Sequence, residues 1–434
     1  MIYKIEVLAR ALLLVVIFAF LGFMSLCIVY ALPAEGRVFQ NAQASVKIFE
    51  KEGEPFSWAD GNVSGMLDNG TDSIMLCRAI FPGTGNVFED ALQNPGYTYK
   101  DPYLMTIVRK VLNQEKEGRS IYNYGRYWHG YLLYLKPLLF WGTIGQIRML
   151  NGMVQLLLAF YILRLMGEKL GKKIQWAFLF TYLLLNPISL AMSLQYSSMY
   201  YIMMFACLYF LRKGDTLVEN ARYIYTFTAI GIGTAFFDFL TYPLVSYGIP
   251  MVVFLLWLDR KGKLQKKWSG VILAIRSGLA WGFGYGGMFL SKWLLLWCFI
   301  GQDAFQQAMT QIAYRMSASV RATEAILSGA LSCSVKEAIS LNLLVILQNP
   351  VSWLLLTILI IETVRKSSKT KKSGEEKVAL KNALGIIALS PFVWYTVFIN
   401  HSYVHFWFTY RELTIFIFSL SCYFITKWQE YDTK

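Results

Sequence analysis

The chain has 434 residues, of which 56% are hydrophobic and only 16% charged, whereas soluble domains run near ~25% charged. Its net charge of +14 sits in short loops between apolar runs. That pattern excludes a nucleic-acid-binding reading and follows the positive-inside bias of membrane proteins.

In chain order, Ala11–Leu32 is the first uncharged apolar run, long enough to cross ~30 Å of hydrocarbon. No small-residue cleavage site follows it, so it is expected to stay as a span after a cytoplasmic start (1–32). Residues 33–148 then form a long extracytoplasmic loop with interfacial helices. Val46–Glu54 reads as a short helix, and Ala59–Thr71 is rich in turn dipeptides such as Asp60-Gly61 and Asn69-Gly70. Thr71 is placed to cap a helix from Asp72 to Phe81, and Tyr103–Leu112 reads as an amphipathic helix. The aromatic stretch Tyr122–Leu139 suits the headgroup layer of the outer leaflet.

Further apolar segments lie near 128–145, 149–166, 174–192, 196–212, 223–241, 243–258, 271–299, 341–363, 382–399 and 403–426. If all crossed, the basic loop 164–173, with Arg164, Lys169, Lys172 and Lys173, would face outside. Reading 128–145, which holds His129, Lys136 and Pro137, as interfacial or re-entrant removes the conflict. The expected fold is all-α: a polytopic transmembrane bundle of about 10 spans (range 9–12), with both ends cytoplasmic. Transmembrane helices occupy 149–299 and 341–426. Between them lies a second outer segment, 300–340, in which Phe305, Met309, Ile312 and Met316 recur at helical spacing. A basic cytoplasmic loop covers 365–381, and 427–434 form the tail. A multi-pass cell-membrane protein, of bacterial plasma-membrane type, is the expectation. The six cysteines have no C-x-x-C spacing, so neither zinc nor a disulfide framework is expected. Cys77 and Cys333, both in outer segments, remain an open pairing beside the default of reduced thiols.

Ionisable residues inside membrane segments are costly and point to function. Asp238, in FFDFLTYP, and Arg411 and Glu412, in HSYVHFWFTYRE, lie toward outer span ends, with His401 and His405 on one helical face. The outer loop adds Asp68 and Asp72, four apart, and Arg126 and His129. Each has a structural alternative: an Arg411–Asp238 ion pair between spans, aspartates at a turn and a helix start, histidines bonded to backbone. The H-E-x-x-H order is absent, and no metal site is expected.

The many spans, the long first outer loop with an acidic residue, and the segments LDNGTDSIML, RYWHGYLLYLKPLL and HSYVHFWFTYRE resemble the GT-C class of membrane glycosyltransferases. They are also similar to segments of uncharacterised bacterial multi-pass proteins of that kind. The class carries its catalytic carboxylate soon after the first span; here Glu35 stands nearest, and Asp68 and Asp72 follow further on. The resemblance implies transfer of a sugar from a polyprenyl-phosphate donor to a glycan or other hydroxyl acceptor at the outer face, in cell-envelope polysaccharide biosynthesis. Asp68 or Asp72 would be the base, and Arg411 would grip the lipid phosphate, oriented by Asp238. Arg126, His129, His401 and His405 would assist. Membrane lipid is the surrounding partner, and carboxylates beside a phosphate can recruit Mg or Mn. The other readings are a lipid-linked saccharide polymerase, a flippase or other transporter, and a non-catalytic membrane partner.

Overall fold

The computed structural model is 77% helix and 4% strand. It describes residues 2–54, 56–101, 104–301, 304–322, 324, 330–367 and 377–432. Residues 368–376 of the expected basic loop, Tyr103, and 302–303, 323 and 325–329 of the second outer segment lie outside the described residues.

Four described helices are long and apolar enough to cross a membrane: Ile5–Ala31, Ile144–Leu170, Ser269–Ile300 and Val378–Val397. A fifth crossing is available if Val335–Gln348 and Pro350–Lys366, bent by 85°, count as one. These helices fit a membrane protein. In α1 (Ile2–Ala31) the small residues Ala11, Val15 and Ala19 pack inward while Leu8, Leu12 and Phe20 stay exposed. A helix apolar all round, with its bulky side turned outward, is suited to lipid.

The loop after α1 folds into a layer of short helices and strands. It contains α2 (Arg37–Glu52), the short pair β1 (Phe56–Ser57) and β2 (Met66–Leu67), α3 (Asn69–Ala79) and α4 (Val87–Gln93). Then come β3 (Pro95–Tyr99), α5 (Leu104–Leu112), β4 (Arg119–Asn123) and α6 (Leu132–Leu139). β3 and β4 are antiparallel, with Pro95 opposite Asn123 and Tyr99 opposite Arg119.

Three expectations for this layer are corrected. The helix expected at 46–54 begins at Arg37. The helix expected from Asp72 begins at Asn69, because Asp68 caps it by accepting the Thr71 amide at 2.9 Å; Asp is among the strongest N-caps. The stretch 122–139 is not one continuous helix. Its start is strand, and its end, α6, is eight residues long, too short at roughly 12 Å to cross a bilayer. α6 buries Leu132, Leu135 and Leu139 in a core that this layer shares with α1, α11 and α13.

The remaining helices are α7 (Ile144–Leu170), α8 (Lys172–Leu184), α9 (Pro187–Met192), α10 (Leu194–Leu217), α11 (Arg222–Phe237), α12 (Val245–Arg260) and α13 (Ser269–Ile300). They continue with α14 (Ala304–Met316), α15 (Val335–Gln348), α16 (Pro350–Ser367), α17 (Val378–Val397), α18 (Ile399–Val404), α19 (Phe406–Thr409) and α20 (Leu413–Asp432). α12 runs through the middle, buried from Val245 to Leu258. α11 and α13 interlock through glycines. A Cβ on Gly231 would come 2.0 Å from the Trp281 carbonyl, and one on Gly284 2.1 Å from the Thr228 carbonyl. Such closeness lets backbones pack without side chains between them.

Several expected continuous segments are broken. The segment 174–192 breaks where Asn186 takes a left-handed φ of 60° before Pro187. The segment 341–363 bends at Asn349–Pro350, since Pro opens a helix more readily than it continues one. The segment 403–426 is divided among α18, α19, a short 3-10 turn and α20. All six cysteines are free, Cys77 and Cys333 included.

Candidate functional site

Asp68 and Asp72 lie one turn apart on α3 and do different work. Asp72 accepts the Leu194 amide at 3.0 Å and the Gln195 amide at 3.1 Å, closing the start of α10. Arg148 stands 3.8 Å from it, and also binds Glu52 through both oxygens at 2.9 Å and Asn69 at 2.9 Å. Burial pushes the Asp72 carboxyl up to about 7, against the pull of Arg148 and the two amides. This carboxylate is saturated by the fold.

Asp68 instead lines a cavity of about 450 Å³. Its amide is fixed by the Ser193 hydroxyl at 2.9 Å, and burial raises its carboxyl to about 6 despite hydrogen bonds from Thr71. The cavity lies where the loop after α1 meets α14 and the C-terminal helices. The first loop supplies Asp68, Tyr124, Arg126, Tyr127 and His129, and α14 supplies Ala308, Gln311, Ile312 and Arg315. The C-terminal helices supply His401 and His405, and α13 supplies Tyr285, Phe289 and Trp293. The walls are thus largely aromatic, with a few charged groups.

Among the described residues, Arg126 is the cation of this cavity without an ion-pair partner. Its guanidinium lies 4.5 Å from the Tyr124 ring centre and 5.7 Å from that of Tyr127, and its Nη2 donates to the Tyr124 hydroxyl at 3.2 Å. Its Nε is buried without a hydrogen-bond partner. Arg315 is already engaged, with Glu324 at 3.2 Å and Asn400 at 3.1 Å.

His129 and His401 are buried in the wall, and His405 is half-buried there. His129 sits at φ 57° with Nε2 donating to the Tyr124 carbonyl at 2.7 Å, which leaves Nδ1 buried and unpartnered. Burial pushes its pKa well below the ordinary value, with the nearby cations adding to the effect. His401 is 3% exposed. Neither of its ring nitrogens has a well-formed hydrogen bond, though the Leu240 backbone stands beside it. Its ring is 4.9 Å from that of His405.

Arg411 lies outside the cavity lining. It is fully buried, donates from Nε to the Leu185 carbonyl at 2.9 Å, and sits 4.4 Å from the Tyr196 ring and 4.8 Å from Tyr410. The expected pairing with Asp238 does not form. Asp238 is taken up by the amide and hydroxyl of Thr241, closing the turn after α11. Glu412 accepts the Leu244 amide at 3.0 Å, just ahead of α12. Arg411 therefore finds aromatic faces and carbonyls where a carboxylate was expected.

Of the residues singled out from sequence, Asp68, Arg126, His129, His401 and His405 converge on the cavity, while Asp72, Asp238 and Arg411 do not. Arg315 and Gln195 line it and were missed. Arg315 falls on a surface-type amphipathic helix, and only the apolar face of that helix was read. Among the described residues no group of three or more His, Cys, Asp or Glu is arranged to hold a metal ion. A larger and more open recess at the opposite end, near Glu6, Arg10 and Lys213, gathers exposed surface residues, and there Arg10 is already paired with Glu6. Comparison with known protein families, with curated proteins and with solved structures finds no match.

Proposed function

We propose that the protein is a GT-C-like membrane glycosyltransferase that moves a sugar from a polyprenyl-phosphate donor to a hydroxyl acceptor at the outer membrane face. In this reading the chain crosses the bilayer about ten times, through α1, α7, α8, α10, α11, α12, α13, the α15–α16 pair, α17 and α20, with both ends cytoplasmic. The cavity then opens on the outer side.

The observation that carries the reading is the joint presence of Asp68 and Arg126 in one aromatic-walled cavity. Asp68 accepts the proton of the acceptor hydroxyl as that oxygen attacks the anomeric carbon. A carboxyl raised to about 6 is ionised at neutral pH yet more basic than a free carboxylate. As the bond from sugar to phosphate breaks, negative charge grows on the lipid phosphate, and Arg126 is placed to stabilise it. Arg126 takes the role first expected of Arg411, which is sealed behind Tyr196. The charge balance favours a monophosphate donor over a diphosphate one. Arg126 is the one lining arginine without a carboxylate partner among the described residues, and a phosphodiester carries one charge. A flippase or other transporter would want a polar path through the midplane; α10, α11 and α12 meet instead around Met203, Phe210, Phe227 and Phe254.

The test is release of polyprenyl phosphate from a panel of sugar-labelled polyprenyl-phosphate hexoses and pentoses by the protein in nanodiscs. Turnover of a donor by the wild type and its loss in D68N support the proposal. No turnover of any donor, or equal turnover in D68N, overturns it.

A further inference from the structure

At the end of the bundle away from the cavity, α1, α10 and α11 border an open recess of about 960 Å³. Its lining includes Glu6 and Arg10 from α1, Tyr209 and Lys213 from α10, and Arg222 and Tyr225 from α11. Asn220 and Ala221, left-handed at φ 51° and 53°, carry the chain from α10 back into α11 and so set Lys213 and Arg222 on the same recess. The charges do not cancel. Glu6 is the one acid among the lining residues, and it is paired with Arg10. Asp215 and Glu219, from the same turn of chain, lie outside the lining. Among the described residues Lys213 and Arg222 have no ion-pair partner, and the Tyr209 and Tyr225 hydroxyls have no hydrogen bond. The recess therefore carries two uncompensated positive charges.

Depth decides which anion fits. Arg10 directly precedes the uncharged run Ala11–Leu32. Glu6 and Arg10 fall within the first two turns of the membrane-length stretch Ile5–Ala31. The recess thus sits where hydrocarbon gives way to headgroups, whichever side of the membrane it faces. On α10, Lys213, Tyr209 and Phe205 follow four apart and share one face. Tyr209 is 44% exposed and Phe205 56%, so this face passes from cation to aromatic to apolar toward the middle of the bundle, the order of a membrane interface. A phosphodiester at the level of the cations meets both of them, and the arginine can grip two of its oxygens. A zwitterionic lipid brings its own ammonium against these cations, whereas an anionic lipid does not. Basic recesses between helices at this depth suit anionic headgroups.

We infer that the recess between α1, α10 and α11 binds an anionic phospholipid of the surrounding bilayer, with its phosphate on Lys213 and Arg222. This lipid ties the start of α1 to the turn between α10 and α11, and it stabilises the fold by binding to it. The site is separate from the cavity and stands or falls independently of the reaction proposed there.

The test is thermal unfolding of the full-length protein in nanodiscs of pure phosphatidylcholine and of equal parts phosphatidylcholine and phosphatidylglycerol. The wild type is expected to melt about 3 °C or more higher with phosphatidylglycerol. K213Q/R222Q loses that shift while melting within about 1 °C of wild type in pure phosphatidylcholine, because both side chains are exposed. K213R/R222K, which keeps both charges, retains the shift. K266Q/K267Q removes the same charge from exposed residues outside the recess and also retains it. Glycerol 1-phosphate added to the wild type in phosphatidylcholine gives no shift. If K213Q/R222Q melts much lower in phosphatidylcholine, the single variants K213Q and R222Q carry the comparison, each losing part of the shift. A wild type with no shift, or a shift kept in the glutamine variants, overturns the site. Equal loss in K266Q/K267Q is attraction to the whole basic surface and overturns it as well. Loss in K213R/R222K assigns the two positions to packing and overturns it. A shift from glycerol 1-phosphate as large as that from phosphatidylglycerol makes the occupant a soluble phosphate and overturns the lipid.

Discussion

Asp72 accepts the amide of Leu194 at 3.0 Å, so the carboxylate one turn beyond Asp68 belongs to a helix start and not to the cavity. The two aspartates look equivalent as D-x-x-x-D in sequence. Packing separates them: α10 begins against one, and the other is left to line the cavity that Arg126 and Tyr124 also line.

Their variants are expected to diverge. D68N removes the base and lowers turnover by about 10²–10³-fold, with little change in melting temperature. D72N leaves a carboxamide that cannot accept from both amides and face Arg148 as an anion, and destabilises the fold by about 1–3 kcal/mol. Donor turnover and thermal unfolding of both variants check this; matched losses of activity and stability in D68N would assign Asp68 a structural role.

The rate should depend on pH through Asp68. A base works when ionised, and burial has raised this carboxyl to about 6. Turnover is therefore expected to climb between about pH 5 and 7, with the inflection near 6 and not near the ordinary carboxylate value of ~4. The sign for stability is opposite: the fold favours the protonated form, so this group's contribution is fullest at low pH and is lost as pH rises through about 6. A pH–rate profile with no limb in that window removes Asp68 as the base.

Arg126 and Arg411 give a matched pair. R126Q is expected to weaken farnesyl phosphate binding by about tenfold or more, and R126K to rescue it poorly, because a lysine cannot stack its plane on Tyr124 or grip two phosphate oxygens. R411A should cost about 2–4 kcal/mol of stability by leaving the Leu185 carbonyl and three tyrosine faces without their cation. The phosphate affinity of any folded R411A fraction should stay as in wild type. Binding titrations beside unfolding curves separate the two.

Packing of α11 on α13 can be broken at one atom. G284V places side-chain carbon against the Thr228 carbonyl, and the helices must separate. Loss of monodispersity or a melting temperature lower by several degrees is the expected outcome, since overpacking costs about 1–3 kcal/mol or more. A G284V protein as stable as wild type would mean that the interlock is looser than described.

Much of the site was legible as chemistry and not as geometry. Asp68, Arg126, His129, His401 and His405 stood out because charged and imidazole groups are rare in so apolar a chain, and the structure brings them together. Arg411, Asp238 and Glu412 stood out for the same reason. Nothing in the sequence says that Asp238 turns back on Thr241 or that Glu412 meets the Leu244 amide, since such bonds depend on where helices begin in space. Helices such as α1, α7 and α13 were visible as long apolar runs. The breaks at Asn186–Pro187 and Asn349–Pro350 carried a readable Pro signal that hydropathy masked. The extent of α2 did not show, because its face is half polar.

The buried carboxylates also set an order of assembly. The amide of Leu244 is satisfied by Glu412, 168 residues further along the chain, and that of Leu194 by Asp72, 122 residues earlier. During synthesis α10 can start against a partner that has already emerged, whereas α12 must wait for the last helix of the chain. Until that helix arrives, a bare backbone donor stands at the start of α12, where it would mark an unfinished molecule for quality-control proteases. A truncation ahead of Glu412 should therefore be cleared from the membrane, even though nearly every apolar segment is present.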